Sequence, residues 1–171
     1  MKKLLVVAGV AGMAVGGWKL SHRHHTDGGG TVTNQLWLDH MPKNDRDLTH
    51  VLIALHDKDP RGDVGILNYG SAWRANINIF KFEKSGDSLR VLFPQNGFKA
   101  QWTTKVSHCS VDQFTLCLEV TAPRGTFRYF SRDEWVIDSA DAGRALEQKI
   151  LHDAPVAPAD FVPTTTADLA E

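Results

Sequence analysis

The sequence is poor in cysteine, with two in 171 residues. It contains no zinc-spaced cysteine set, no Walker-type glycine loop, no GxGxxG turn and no HExxH helix, so the usual anchors of nucleotide cofactors and catalytic zinc are missing. We therefore predict no cofactor and no metal site. No cysteine follows the apolar N-terminal stretch, which excludes a lipoprotein lipobox.

The chain also lacks an excess of charge of either sign, because its formal net charge is −1. A protein that binds nucleic acid needs a positive electrostatic potential on its surface, so nucleic acid is excluded as a partner. Hydrophobic residues make up 42% and charged residues 23% of the chain. These values are ordinary for a globular protein, and they argue against global disorder.

Residues 1–18, MKKLLVVAGVAGMAVGGW, have the layout of a signal peptide: two lysines, then an uncharged stretch. Residues 14–16 (AVG) offer a cleavage site. The stretch is shorter than the roughly 20 apolar residues of a comfortable membrane span. Lys19 and Arg23 follow directly and favour the alternative, an uncleaved N-terminal membrane anchor. Both alternatives predict an exported bacterial protein, periplasmic or extracellular, cleaved or tethered to the membrane.

The composition divides the remaining chain into segments. Residues 19–33 are rich in histidine and glycine and predict a flexible linker, whose HRHH stretch we interpret as a solvated spacer rather than a metal site. Residues 34–138 carry the regular pattern of the domain. Residues 139–152 predict one short helix capped by Asp138 or Ser139. Residues 153–171, rich in Pro, Ala and Thr, predict a disordered tail.

Short apolar stretches separated by turn signals run from residue 34 to residue 138. The clearest is FKAQWTTKV, in which Phe98, Ala100 and Trp102 alternate with polar residues, and the stretch from Phe114 repeats the pattern. This period of two predicts antiparallel strands with one buried and one solvent-exposed face. The fold class is therefore mainly β: an antiparallel barrel or sandwich of about eight strands, with one short C-terminal helix.

One predicted strand, SAWRANINIFKFE, changes phase along its length. Apolar residues up to Ile79 share one parity, whereas Phe80 and Phe82 share the other. A β-bulge or a bend near Ile79 would reconcile the two halves.

The two cysteines lie on neighbouring predicted strands and share the parity of the polar face. Pairing Cys109 directly with Cys117 sets Val106 opposite Val120, which keeps the inner row apolar. We predict a disulfide, as expected in an exported protein, worth roughly 2–3 kcal/mol for so short a loop. The alternative, a Cys109 nucleophile with His108 as its base, is disfavoured because adjacent side chains of a strand point to opposite faces.

The loop after the first predicted strand gathers His40 with Asp39, Asp45 and Asp47. Their carboxylates are the ligands that calcium prefers, but the loop lacks EF-hand spacing and Arg46 interrupts it. We interpret it as a solvated turn.

Aromatic residues occur on nearly every predicted strand. In a domain this small they either fill the interior or line a ligand cavity, and the sequence leaves both alternatives open. The candidate cavity-lining residues are Trp37, Trp73, Trp102, Tyr129, Trp135 and Arg128.

The strand count, Trp37 on the first strand and Arg128 or Arg132 on the last together resemble the lipocalin-like (calycin) barrels. In those proteins a first-strand tryptophan packs on a last-strand arginine at the closed end of the barrel. Gln35 stands where the family has a glycine. The resemblance implies a β-barrel that binds small apolar molecules.

The function predicted from these features is an exported, noncatalytic β domain that binds a small apolar ligand or a protein partner of the envelope. One alternative is a structural or assembly component of the cell envelope. Another is a hydrolase whose residues converge only in three dimensions, which a cleft joining His40 or His108 to carboxylates would indicate.

Overall fold

The computed structural model describes residues 31–56 and 62–159. In this part of the chain eight antiparallel strands, paired in sequence order, close into a barrel followed by one helix. The predicted fold class is confirmed, and the barrel is the correct alternative. The elements are β1 (Gln35–Leu38), β2 (Thr49–Leu55), β3 (Asp63–Gly70), β4 (Ala75–Ser85), β5 (Ser88–Phe93), β6 (Phe98–Val111), β7 (Phe114–Ala122), β8 (Gly125–Ser131) and α1 (Ala140–His152).

The predicted signal peptide or anchor and the HRHH stretch lie outside the described residues. Within residues 31–56 and 62–159, no helix is long and apolar enough to cross a bilayer.

The barrel interior is filled by the apolar residues of the alternating pattern. On β6 and β7, Trp102 is buried on the inner face together with Leu118 and Val120. Burial of each such side chain contributes about 1.5–3 kcal/mol relative to exposure. The interior cluster comprises Val32, Trp37, Leu52, Ala54, Phe80, Phe82, Leu89, Val91, Trp102, Leu116, Leu118, Val120 and Tyr129.

A missing side chain on β3 makes room for the ring of Phe80 in the interior cluster. Gly65 pairs with Phe80 across the β3–β4 ladder. A Cβ atom built on Gly65 would lie 2.0 Å from Cζ of Phe80. The ring therefore lies directly over the glycine backbone, an arrangement that no larger residue at position 65 would allow.

A second apolar cluster covers the outer wall of β1 and β2. Leu36 and Ile53 are buried there against Ile150 of α1. The helix begins where Ser139 accepts a hydrogen bond from the Ala142 N–H, so Ser139 is the cap. Buried Asn68 of β3 donates its Nδ2–H to Oε1 of Glu147 and links the helix to the wall.

Side chains complete the closure of the barrel between β1 and β8. Strand pairing there consists of Leu38 with Phe130, together with an isolated bridge from Gln35 to Val136. Buried Gln35 donates Nε2–H to Ser131 Oγ at 2.7 Å and to the Arg132 carbonyl at 2.6 Å. Ser131 Oγ in turn donates to the Leu36 carbonyl. This seam holds the end of β1 in place, directly before Asp39.

The segment boundaries differ from those predicted at both ends of the domain. Val32, assigned to the linker, is buried in the interior, and its carbonyl accepts the Trp37 Nε1–H at 3.0 Å. Ala157, assigned to the tail, is buried as well. Residues 132–138, the last part of the predicted β segment, contribute only the bridge at Val136 within the described chain.

The bulge or bend predicted in β4 is absent. β4 runs without a bulge at Ile79; its outward-facing Ile77 and Ile79 are exposed instead of buried. The register shift lies in β6, between His108 and Val111. The strand needs no kink, because Ile77 and Ile79 face outward in its exposed first half while Phe80 and Phe82 face inward.

Candidate functional site

The antiparallel order brings four connections to one end of the barrel, here called the mouth. They are residues 39–48 between β1 and β2, 71–74 between β3 and β4, 94–97 between β5 and β6, and 123–124 between β7 and β8. The longest is residues 39–48, the loop that the sequence predicted to be a solvated turn.

Four side chains of this loop and β2 form a hydrogen-bonded group, here called the Asp39 cluster. Asp39 Oδ1 lies 2.8 Å from His40 Nδ1, and its Oδ2 lies 2.8 Å from His50 Nδ1. On its other side the His40 ring contacts Asp47 Oδ2 at 3.3 Å. The His50 ring stacks on Tyr69 of β3, with centroids 4.4 Å apart. The turn therefore has a fixed internal structure rather than a solvated one.

The cluster sets the charge at the mouth. Burial raises the pKa of Asp39, but hydrogen bonds from His40 and His50 outweigh it, and the pKa falls to about 2. The hydrogen bond to Asp39 raises the pKa of His40, even though burial opposes the change. Burial, with the negative charge of Asp39, raises the pKa of Tyr129 to about 12, so its phenol stays neutral. The site thus holds an ionised carboxylate beside a histidine that protonates readily.

Asp45, expected near the same loop, has a different role. Its Oδ2 accepts the Trp73 Nε1–H at 2.7 Å, and its Oδ1 accepts the Ala157 N–H at 2.7 Å. Its backbone N–H donates to the Pro155 carbonyl. Asp45 therefore anchors the segment after α1 to the mouth.

An aromatic path crosses the opposite side of the mouth. Phe98 is 45% exposed at the rim, and its ring lies 6.0 Å from that of half-buried Phe93. Phe93 contacts fully buried Phe80 at 5.6 Å and Trp102 at 6.1 Å. The path leads from solvent into the interior cluster, and Phe127 and Ala122 of the facing strands are also half-buried. The mouth is therefore apolar on one side and charged on the other.

Three of the six predicted cavity-lining residues belong to the interior: Trp37, Trp102 and Tyr129. The other three do not, which corrects the prediction. Trp73 is 75% exposed beside the β3–β4 turn, and Trp135 packs in the outer cluster beneath α1. Arg128 points outward, with Nε 3.9 Å from Glu119. Residues 73 and 135 lie outside the strands, and position 128 faces outward on β8, facts that counting aromatics does not reveal.

The arginine expected against Trp37 is also placed elsewhere. Arg132 lies over the Trp135 ring, 5.2 Å from its centroid, and closes the outer cluster. The indole N–H of Trp37 instead donates a hydrogen bond to the Val32 carbonyl.

Two grooves open on the barrel wall. The larger, about 740 Å³, crosses β4, β5 and β6 and mixes cations such as Lys81 and Lys99 with Glu83. The smaller, about 410 Å³, lies over β6, β7 and β8 and includes Arg128 and Tyr129. The Asp39 cluster lies at the mouth and lines neither groove.

The cysteines are joined in the structure as Cys109–Cys117, with Cα atoms 5.8 Å apart. The register differs from the predicted one, because Cys117 stands opposite Ser107 and the link is diagonal. His108 lies on the opposite face from the sulfurs and is exposed, so it does not form a pair with Cys109.

Sequence reasoning missed the contact between Asp39 and His50. His50 has the same strand parity as the inward-facing Leu52. This parity could have predicted that His50 lies at the end of the barrel, next to residue 39.

In residues 31–56 and 62–159 no three His, Cys, Asp or Glu side chains have an arrangement that would hold a metal ion. No family model matches this chain, nor does any curated protein or solved structure.

Proposed function

We propose that this chain is an exported, noncatalytic binding domain whose barrel mouth takes up a small, mainly apolar ligand with one hydrogen-bonding end. The observation that carries the proposal is the aromatic path from exposed Phe98 through Phe93 to Trp102. Binding sites for small molecules combine an apolar lining with a few fixed polar groups, and the mouth has both. The closed barrel with a helix on its outer wall supports a lipocalin-like mode of binding.

The depth of the site follows from the packing below it. Trp37, Phe80 and Leu89 are fully buried and fill the interior beyond the path. A ligand therefore occupies the mouth rather than the centre of the barrel. Its apolar part would lie on Phe93 and Phe98, and its polar end would face the Asp39 cluster.

Export rests on the signal-peptide layout and on the Cys109–Cys117 link, since disulfides persist mainly in oxidising compartments. The proposal does not depend on whether residues 1–18 are cleaved or remain as a membrane anchor, because both forms contain the same barrel mouth.

The test is a fluorescence titration of the exported protein with 1-anilinonaphthalene-8-sulfonate, combined with native mass spectrometry for a co-purified molecule. Phe98→Ala removes the exposed end of the path and should weaken binding of the probe about tenfold, or roughly 1.4 kcal/mol. Phe130→Ala is the matched control, because Phe130 is a half-buried ring stacked on Phe114 outside the mouth. Equal affinity of both variants, or no binding by the unaltered protein, would contradict the proposal.

One observation favours hydrolysis as a second candidate function. His40 bridges Asp39 and Asp47, the arrangement named above as the mark of an acid–base site. His40→Asn should then abolish turnover of short acyl esters while the barrel stays folded. Absence of turnover by the unaltered protein removes this candidate.

A further inference from the structure

Exposed apolar side chains are concentrated at the mouth of the barrel. Across residues 31–56 and 62–159, seven large hydrophobic side chains are exposed. Two of them, Val111 and Val136, lie at the opposite end of the barrel, here called the far end. The other five lie in or next to the connections of the mouth: Trp73, Ile77, Ile79, Phe98 and Val156.

Two of these five side chains are held together by Asp45. Its carboxylate accepts the Trp73 Nε1–H and the Ala157 N–H, each at 2.7 Å. The Trp73 side chain is nevertheless 75% exposed, and Val156, next to Ala157, is 85% exposed. The polar edge of the indole is therefore bonded within the protein, while the apolar surface of both side chains faces solvent from a fixed position.

Five exposed cations surround the same apolar side chains. Four come from the connections of the mouth, and the fifth directly follows Phe98: Lys43, Arg46, Arg74, Arg124 and Lys99. Close to Val156, Asp153 forms an ion pair with Lys149 at 2.9 Å, so its charge is neutralised locally. The mouth therefore presents positive charge and apolar surface together.

The acidic residues of the mouth connections are half-buried and bonded within the protein. Asp39 lies 2.8 Å from the rings of both His40 and His50. Asp47 accepts the Lys43 backbone N–H at 2.9 Å and contacts the His40 ring on its other side. The third carboxylate is the one that binds the indole and the segment after α1. These acids are thus directed inward, whereas the cations are directed toward solvent.

The far end of the barrel carries charge of the opposite sign. Its fully described connections are residues 86–87, 112–113 and 132–139. Arg132 is the one cation in these three described connections, and it lies over the Trp135 ring. The exposed acids there are Asp87, Asp112, Asp133, Glu134 and Asp138. This asymmetry turns the mouth toward a negatively charged surface and the far end away from it.

We propose that the mouth docks on a membrane surface that contains anionic phospholipids. Tryptophan side chains favour the headgroup region of a bilayer, and lysine and arginine are attracted to anionic lipids. The apolar side chains come from four separate segments and stand among the cations, which suits a fluid surface better than a partner of fixed shape. Docking is independent of the ligand binding proposed above, although it would bring the mouth to a source of apolar molecules.

Co-sedimentation of the full exported chain with lipid vesicles tests this docking. One set of vesicles contains phosphatidylcholine alone, and the other contains about one third phosphatidylglycerol. The quantity compared is the excess affinity for the anionic vesicles, because residues 1–18, where retained, would bind both sets. The unaltered protein should show this excess, and added salt should reduce it by screening the charges.

Three substitutions at the mouth separate the apolar from the charged contribution. Trp73→Ser and Arg74→Glu should each lower the excess affinity about tenfold. Val156→Ser should lower it about threefold and leaves the hydrogen bonds of Asp45 in place.

The matched controls lie at the far end. Val136→Ser changes an exposed apolar side chain there, and Lys84→Glu reverses an exposed charge. Both should bind like the unaltered protein, and near-ultraviolet circular dichroism should confirm that each variant is folded. If Trp73→Ser does not fold, Val156→Ser and Arg74→Glu decide.

Three results would overturn the proposal. The first is no excess affinity of the unaltered protein for anionic vesicles. The second is an excess that the mouth substitutions leave unchanged or that the far-end substitutions reduce equally. The third is an excess that depends on Arg74 but on neither Trp73 nor Val156, which would indicate an acidic soluble partner instead of a membrane.

Discussion

His50 of β2 binds both carboxylate oxygens of Asp39. Its backbone N–H donates to Oδ1 at 2.9 Å, and its ring Nδ1 lies 2.8 Å from Oδ2. This double contact joins the residue that follows β1 to the start of β2. It holds the long loop of the mouth against the barrel and fixes a negative charge there.

Asp39→Asn should lower the free energy of unfolding by about 2 kcal/mol near neutral pH, because a charged acceptor of several hydrogen bonds is lost. The pKa of Asp39 is lowered by folding from 3.8 to about 2. Its stabilisation is therefore present above pH 3.8 and is lost as the pH falls toward 2. Urea unfolding at several pH values measures both effects. Asp133→Asn, at an exposed position, should change neither; an equal loss in both variants would refute the role of Asp39.

His40 should stabilise the mouth in the opposite direction of pH. Folding raises its pKa above 6.5, so its contribution is complete below pH 6.5 and disappears as the pH rises through the folded pKa. The difference in stability between the unaltered protein and His40→Asn should shrink as the pH rises. A difference that stays constant across this range would show that the His40 charge does not matter.

Glu147→Gln should stabilise the protein by about 1 kcal/mol near neutral pH. Burial raises the pKa of Glu147, so its ionisation as the pH rises through the folded value costs stability. Asn68 Oδ1 is buried and has no hydrogen-bond partner in the described chain. A glutamine amide would donate to this oxygen and remove the charge. Thermal unfolding measures the gain; Glu134→Gln, at an exposed position, should give none.

Gly65→Ala should destabilise the barrel by about 1–3 kcal/mol, because its Cβ would occupy the space of the Phe80 ring. Phe80→Leu removes part of that ring and should reduce the cost of alanine at position 65. A double-mutant cycle from chemical unfolding measures this coupling. Additive effects of the two substitutions would show that the ring does not rest on Gly65.

Replacing both cysteines by serine should cost roughly 2–3 kcal/mol, as expected for a short disulfide loop. Reducing the unaltered protein should give the same loss, and its mass without reductant should be lower by two hydrogens. Free thiols in exported protein would contradict the Cys109–Cys117 link.

The prediction of the fold succeeded where a residue's neighbours in sequence decide its environment. The alternation of Phe98, Ala100 and Trp102 specified an inner and an outer face because side chains of a strand point to opposite sides. The helix was predicted within one residue at its start, since Ser139 caps it through a local hydrogen bond. The cysteine pair was also predicted, although in the wrong register.

The candidate site was harder to predict, because its parts come from distant positions. Phe98 and Phe93 meet through a hairpin and were within reach of sequence reasoning. Asp39 and His50 meet because the pairing of β1 with β2 sets residue 39 opposite residue 50, across a ten-residue loop whose length hides this register in the sequence.

The sequence by itself determined the class of the protein: a mainly β domain of alternating strands, a capped C-terminal helix and a stapled hairpin. These features depend on short-range periodicity and on local chemistry. Only the tertiary structure decided that the sheet closes, that a charged cluster faces an aromatic path across its mouth, and that β4 extends beyond β5. Closure and strand overhang depend on the relative registers of all eight strands, and no single stretch of sequence carries that information.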